Sequence, residues 1–220
     1  MDPWQAGTYA DHYNRIYDFD VREIEAYLAP LQLGKADRFI DFGCGSGAAI
    51  AVAAPRVEKA VGLDVSLRQI ELARERLSSF PNVELVHSDF LECSFGGSLF
   101  SRGAGRKSLH HLTDPEKTTF FQRIGPMFAE GALFLVEDGI FDFPRDRLEE
   151  QMPRILAEAA PYYGDRWDTI RPDFLITMRE EFPTSSETWE AALRAGGFKP
   201  ISLKRRTCFY GALLACKETR

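Results

Sequence analysis

The sequence predicts an α/β fold: a doubly wound sheet of seven strands, mostly parallel with an antiparallel last strand, and helices on both faces. Strand and helix patterns alternate from about residue 20 onward, which is typical of a parallel sheet covered by helices. The run at 132–138 is nearly all apolar, as expected of a central strand. Two strand patterns end the chain, and the short connection between them indicates an antiparallel hairpin.

The individual elements follow from local patterns. Capping-box patterns start helices at Asp20, Ser66 and Thr113, each followed three residues later by Glu or Gln. Further helices are predicted at 48–54, 148–159 and 187–195. The predicted strands lie at 38–42, 60–64, 83–87, 98–101, 132–138, 200–205 and 208–217. The fourth strand has the weakest pattern because glycines surround it, and the basic run 102–107 is predicted to be a loop.

The length of 220 residues predicts a single domain, 1–220. Residues 1–33 are expected to form an N-terminal helical cap, in which a tyrosine recurs every four residues from position 9 to position 17. The alternation breaks at 141–183, an aromatic and charged stretch that is long for a connection inside a compact domain. We expect this stretch to form a lid-like insert.

Composition limits the classes of function. The net charge of −6 disfavours a broad nucleic-acid-binding face, because neutralising phosphates requires a surplus of Lys and Arg. The four cysteines are far apart and form no C-x-x-C pair, which indicates reduced thiols in a cytoplasmic protein. The first residues lack a signal-peptide pattern, and no apolar run is long enough for a membrane span. We therefore expect no membrane association.

A glycine-rich junction follows the first predicted strand. Gly43, Gly45 and Gly47 alternate between an apolar strand and an apolar helix, where bare backbone lets a nucleotide-like ligand approach the amide groups. Two ligand classes use such a junction, since Gly43, Gly45 and Ala48 also satisfy the dinucleotide pattern G-x-G-x-x-A. Asp41 would repel a diphosphate, so it favours a ligand with positive charge and hydrogen-bond donors.

Two further acids follow neighbouring strands. Asp64 ends the second strand, where a carboxylate accepts hydrogen bonds from ribose hydroxyls in doubly wound sheets. Asp89 follows the third strand and can accept a bond from an adenine amino group, with Phe90 available to pack beside the ring. Asp41, Asp64 and Asp89 are therefore expected at one edge of the sheet.

With these motifs, the sequence resembles the class I S-adenosylmethionine-dependent methyltransferases, which have a Rossmann-like fold, across nearly its whole length. The similar segments are Asp41–Gly47, Gly62–Ser66, His87–Phe90, Leu109–Leu112 and Ala195–Phe198. The segment 95–108 departs from the family pattern, since Phe95-Gly96-Gly97 stands where members often have Phe-Asp.

The resemblance implies in-line transfer of a methyl group from S-adenosyl-L-methionine to a small-molecule acceptor, with release of S-adenosylhomocysteine. It implies that the cofactor-binding residues are Asp41, Gly43, Cys44, Gly45, Gly47, Asp64, Val65, Ser88, Asp89 and Phe90. His110, His111 and Glu137 are candidate catalytic bases by position. No metal is expected, and the chain is expected to act as a monomer or homodimer.

Two other functions stay open at this point. An NAD(P)-dependent oxidoreductase shares the glycine pattern but is disfavoured by Asp41 and by the final hairpin. A non-catalytic protein would bind S-adenosylmethionine in the same pocket without transferring its methyl group. The unusual 95–108 segment makes such a protein an alternative.

Overall fold

A computed structural model describes residues 20–97 and 99–219. The strands are β1 Arg38–Phe42, β2 Lys59–Asp64, β3 Val83–His87, β4 Phe100–Arg106, β5 Phe128–Asp138, β6 Ile140–Phe141, β7 Thr184–Ser185, β8 Phe198–Arg205 and β9 Gly211–Lys217. Seven of them form one sheet in the order β3-β2-β1-β4-β5-β9-β8, and β6 pairs with β7 in a small second sheet. In the large sheet β9 runs antiparallel to β5 and β8, and the other pairs are parallel. The predicted fold class is confirmed.

The helices are α1 Val21–Leu28, α2 Ala48–Ala53, α3 Leu67–Arg76, α4 Asp114–Ile124, α5 Leu148–Tyr163, α6 Trp167–Glu180 and α7 Ser186–Ala195. The predicted caps form, because the side chains of Asp20, Ser66 and Thr113 each accept a hydrogen bond from a first-turn amide. Thr113 and Glu116 complete a reciprocal capping box. None of these helices is long and apolar enough to cross a membrane.

The strand order places a binding crevice near the middle of the sheet. The order reverses between β1 and β4, and ligands of doubly wound sheets bind at such a switch point, outside the carboxyl ends of the strands. Two apolar clusters cover the faces: Phe120 of α4 and Trp189 of α7 lie in one, and Ile50 of α2 and Ile70 of α3 lie in the other. These clusters hold the carboxyl ends of the strands in fixed positions.

The prediction for the fourth strand was wrong in its position. β4 spans Phe100–Arg106, so the run expected to be a basic loop is mostly strand. Its arginines are paired rather than solvated: Arg102 Nε donates to the Leu31 carbonyl at 2.6 Å, and Arg106 Nε donates to Glu137 at 2.9 Å. Gly103 permits close packing, since a Cβ there would lie 2.6 Å from Phe128. Because of these glycines and paired charges, a central strand has a weak hydrophobic pattern in the sequence.

The insert at 141–183 contains α5 and α6 as two consecutive helices. Their apolar sides pack with the turn between β8 and β9 in a third cluster, which includes Ile155, Phe174 and Phe209. α1 lies within residues 1–33, for which an N-terminal helical cap is predicted. Residues 1–19, with their tyrosines, lie outside the described residues.

Candidate functional site

A cavity of about 240 Å³ lies at the carboxyl ends of β1, β2 and β4. The predicted cofactor-binding residues that line it are Asp41, Gly43, Cys44, Gly45, Asp64, Val65, Asp89 and Phe90. Gly47 and Ser88 do not line it. Gly47 instead permits α2 to pack closely, since a Cβ there would lie 2.7 Å from Leu77, and Ser88 Oγ donates to the Asp89 carbonyl at 3.1 Å. Predicted residues from three chain segments therefore meet in one cavity.

Gly43 sets the shape of the turn that leaves β1. Its amide donates to the Leu63 carbonyl at 2.8 Å, and its φ is 79°. A Cβ at this position would lie 2.2 Å from the Cβ of Ser108, whose hydroxyl donates to the Phe42 carbonyl at 2.7 Å. Both the backbone conformation and the close approach of Ser108 therefore require glycine here.

We expect Gly43→Ala to be less stable than Gly45→Ala by about 1–3 kcal/mol, the usual cost of overpacking. Both glycines have positive φ, so both substitutions strain the backbone, but a Cβ at Gly45 meets no atom within 4 Å. Urea unfolding followed by circular dichroism measures the difference. Equal stability of the two variants would contradict the close approach of Ser108 to Gly43.

Asp64 connects the two turns that border the cavity. Its Oδ2 accepts a hydrogen bond from the Gly45 amide at 2.8 Å, and its Oδ1 accepts one from the Ser66 amide at 2.9 Å. Burial raises the pKa of Asp64, and these two hydrogen bonds oppose that rise. The carboxylate thus fixes the glycine-rich turn against the start of α3.

Asp41 is the least satisfied acid in the cavity. Its side chain is 3% exposed, and its Oδ1 accepts no hydrogen bond from the described residues. Burial and the charge of Asp64 raise the pKa of Asp41 to about 7, against the opposing effect of Arg106. A buried carboxylate without a donor is costly, so a cationic or hydrogen-bond-donating ligand is the natural complement.

Asp89 and Phe90 form the far wall of the cavity. Asp89 is exposed and accepts a hydrogen bond from the Leu91 amide at 2.7 Å, which shapes the turn after β3. Phe90 is buried and packs edge-on against Phe120 of α4, with ring centroids 6.0 Å apart. This wall therefore presents one carboxylate beside one aromatic ring.

Glu137, a predicted catalytic base, lies outside the cavity and has its oxygens occupied. Oε1 accepts from Arg106 at 2.9 Å and from the Tyr210 hydroxyl at 3.0 Å, while Oε2 accepts from Arg206 at 2.7 Å. Its side chain is 1% exposed. This arrangement is that of an ion-pair anchor between β4, β5 and the final hairpin.

The two predicted histidines differ in their surroundings. His110 Nδ1 lies 2.5 Å from Asp138, and its Nε2 lies 3.2 Å from Glu181. Burial lowers the pKa of His110, but the two carboxylates outweigh this effect and raise it to about 10. Both ring nitrogens of His110 therefore face carboxylates, and His110 does not line the main cavity. His111 is the predicted histidine that lines the cavity.

A second cavity, of about 70 Å³, adjoins the first through shared wall residues Lys107 and His111. Its other walls come from α6 of the insert, which contributes Phe174 and Glu181, and from the turn between β8 and β9, which contributes Tyr210. The insert thus closes a small space beside the main cavity.

Sequence reasoning missed Lys107. It follows β4 directly with a φ of 51°, an uncommon conformation for a residue with a side chain. Burial and the charge of Arg106 lower the pKa of Lys107 to about 8, although Glu137 opposes them. Its position after the fourth strand would have identified it, had that strand been placed correctly.

Comparison with known proteins gives a family match at residues 39–131, to the methyltransferase domain model. A malonyl-[acyl-carrier protein] O-methyltransferase of Marinomonas sp. (strain MWYL1) is 35% identical over 79 residues, which cover 35% of this chain and 29% of that protein. The chain thus matches less than a third of that relative's length.

Solved structures share the fold at low identity. A putative methyltransferase in complex with the Trm112 activator of Haloferax volcanii has a TM-score of 0.72 and 13% identity, with coverage of 98% of this chain and 97% of that one. Magnesium protoporphyrin IX methyltransferase from Synechocystis PCC 6803, with bound SAM, has a TM-score of 0.66 and 13% identity, with coverage of 99% and 94%. Residues 39–131 therefore match a methyltransferase domain, and the strand order of the whole sheet is shared with solved methyltransferase structures, in agreement with the resemblance found in the sequence.

Proposed function

We propose that the chain transfers a methyl group from S-adenosylmethionine to a small-molecule acceptor and releases S-adenosylhomocysteine. The observation that carries this proposal is the buried, unsatisfied carboxylate of Asp41 in a cavity that Asp64 and Asp89 also line. A dinucleotide would place its diphosphate charge beside these acids, whereas S-adenosylmethionine has cationic groups, an adenosine and no phosphate. The three carboxylates therefore fit S-adenosylmethionine better than they fit a dinucleotide.

Different residues would bind different parts of S-adenosylmethionine. Asp64 would hold the ribose hydroxyls, Asp89 and Phe90 the adenine, and Asp41 the cationic part. When bound, S-adenosylmethionine supplies a methyl group on a positively charged sulfur, which an acceptor atom attacks in line. The protein contributes alignment and exclusion of water.

We place the acceptor in the second cavity, because it adjoins the donor cavity at Lys107 and His111. Its volume of about 70 Å³ favours a small molecule. The insert 141–183 would act as a lid over it, since α6 forms one wall. If the acceptor carries a proton, His111 is better placed than His110 or Glu137 to remove it.

The cysteines and the net charge favour a cellular location and a class of acceptor. The thiols of all four cysteines are free, which suits the reducing cytoplasm. The net charge of −6 favours a metabolite over a nucleic acid as the acceptor. We infer action as a monomer or homodimer.

Isothermal titration of the purified chain with S-adenosylmethionine, S-adenosylhomocysteine and NADH tests the donor. We expect both adenosyl compounds to bind and NADH not to bind. The opposite result would favour the oxidoreductase. Product formation against a panel of metabolites, with an RNA arm, then tests transfer. Donor binding without any product would favour a non-catalytic binding protein.

Asp64→Ala should weaken S-adenosylmethionine binding by about 1–3 kcal/mol, because its ribose contacts and its bond to the Gly45 amide are both lost. Calorimetry measures the affinity, and circular dichroism checks that the variant folds. Asp165→Ala removes an exposed acid in the insert and should leave the affinity unchanged. Unchanged affinity in Asp64→Ala would remove Asp64 from the site.

A further inference from the structure

We propose that His110, His111 and Glu181 bind one divalent metal ion of the zinc type in the second cavity. The three side chains offer ligand atoms that lie within 4.8 Å of one another. His110 and His111 precede α4, and Glu181 directly follows α6 of the insert. The site therefore joins the edge of the sheet to the insert, and its existence does not depend on methyl transfer.

The distances between the ligand atoms suit metal coordination. Glu181 Oε2 lies 3.2 Å from His110 Nε2, and Glu181 Oε1 lies 3.3 Å from His111 Nδ1. With metal–ligand bonds of about 2.0–2.2 Å, two ligands of a tetrahedral ion lie roughly 3.3–3.5 Å apart. Each imidazole–carboxylate pair is thus already spaced like the edge of a coordination tetrahedron.

Asp138 holds His110 in the orientation that ligation requires. Its Oδ1 lies 2.5 Å from His110 Nδ1, so the other ring nitrogen faces Glu181. The carboxylate itself is fixed by the amides of Ser108, Leu109 and His110, at 3.2, 3.0 and 3.2 Å from Oδ2. A carboxylate behind a ligating histidine is the usual outer-shell arrangement of zinc sites.

A buried oxygen points to the same conclusion independently. Glu181 Oε2 has almost no exposed surface and accepts no hydrogen bond from the described residues. It lies 3.2 Å from His110 Nε2, which is an ion-pair distance. A buried carboxylate oxygen left in this state is costly, and a metal ion would satisfy it.

The donor set indicates the class of ion. Two imidazoles and one carboxylate suit Zn²⁺ or a neighbouring transition metal better than Mg²⁺ or Ca²⁺, which prefer oxygen ligands. With Glu181 bound through a single oxygen, the three protein ligands leave a fourth position open, as in catalytic zinc sites. Since these residues line the second cavity, that position is available to water or to a polar atom of the acceptor. With the ion bound, the ion and not His111 would activate that atom.

Cobalt titration of the chelator-treated, full-length chain tests the proposal. We expect one Co²⁺ per chain with the visible absorption of a four-coordinate ion, displaced by Zn²⁺. Glu181→Gln keeps the side-chain shape and should weaken Co²⁺ binding at least tenfold, as should His111→Ala. His87→Ala removes an exposed histidine and serves as the matched control, with binding unchanged.

Circular dichroism of each variant without metal establishes that a loss of binding is not a loss of folding. The proposal is overturned if the wild-type chain takes up no Co²⁺ or Zn²⁺. It is also overturned if folded Glu181→Gln and His111→Ala bind the ion as tightly as the wild type, since the ion then lies elsewhere.

Discussion

Glu137→Ala is expected to destabilise the protein by about 3–5 kcal/mol, the usual cost of breaking a buried ion pair. The substitution leaves Arg106, whose side chain is 11% exposed, without the carboxylate that its Nε contacts. Arg206 and the Tyr210 hydroxyl lose the same acceptor. Urea unfolding monitored by circular dichroism measures the effect as a lower midpoint.

Glu149→Ala is the matched control for this prediction. Glu149 pairs with Arg179 on the surface of the insert, where the side chains are 70% and 49% exposed, and such pairs contribute at most about 1 kcal/mol. The contrasting outcome is a Glu137→Ala variant with wild-type stability and no methyl transfer. That result would make Glu137 a catalytic base and would contradict the anchor role.

Asp41→Asn is expected to stabilise the ligand-free protein while it weakens donor binding. The pKa of Asp41 rises from 3.8 to about 7, and each pKa unit corresponds to about 1.4 kcal/mol, so the ionised carboxylate costs up to roughly 4 kcal/mol. Asparagine carries no charge and avoids that cost. Loss of a hydrogen bond to a charged group should weaken S-adenosylmethionine binding by about 1.5–3 kcal/mol.

The pH dependence of this effect has a definite sign. Between about pH 4 and pH 7 folded Asp41 holds a proton that the unfolded chain has released, so wild-type stability falls as the pH rises. Asp64 and Arg106 are the nearby charges that shift the pKa of Asp41. Tyr27 and Cys44 also face it, but burial raises the pKa of both and they stay neutral.

Thermal unfolding of Asp41→Asn and the wild type at several pH values, with calorimetry on S-adenosylmethionine, checks both halves of the prediction. The stability gain should be largest near pH 8 and vanish near pH 4, where neither side chain is charged. An asparagine variant that is less stable at pH 8 would show that Asp41 has an unrecognised cationic neighbour in the free protein.

The acids that line the main cavity were predictable because short-range patterns encode their positions. Asp41, Asp64 and Asp89 each follow or end a strand with a clear apolar pattern, and parallel strands bring their carboxyl ends to one edge. The helix caps at Ser66 and Thr113 are equally local. These features need no knowledge of distant contacts.

The second cavity was not predictable, because long-range pairing decides which residues line it. β4 has a poor strand pattern. The residues that pair with its buried arginines, such as Glu137 with Arg106, are distant in sequence. The same applies to Glu181, which meets His110 only because α6 folds back over the sheet. Hydrophobic periodicity carries no information about such pairs.

The position of β9 limits the order in which the sheet can form. β9 follows β8 in sequence, yet it lies between β5 and β8 in the sheet, so that Leu135 pairs with Leu214. Until β9 has been synthesised, β5 presents a bare, apolar edge and β8 has no neighbouring strand, a state open to intermolecular pairing. β8 can therefore join the sheet only after β9 has paired with β5, so the final two strands must add to the sheet together.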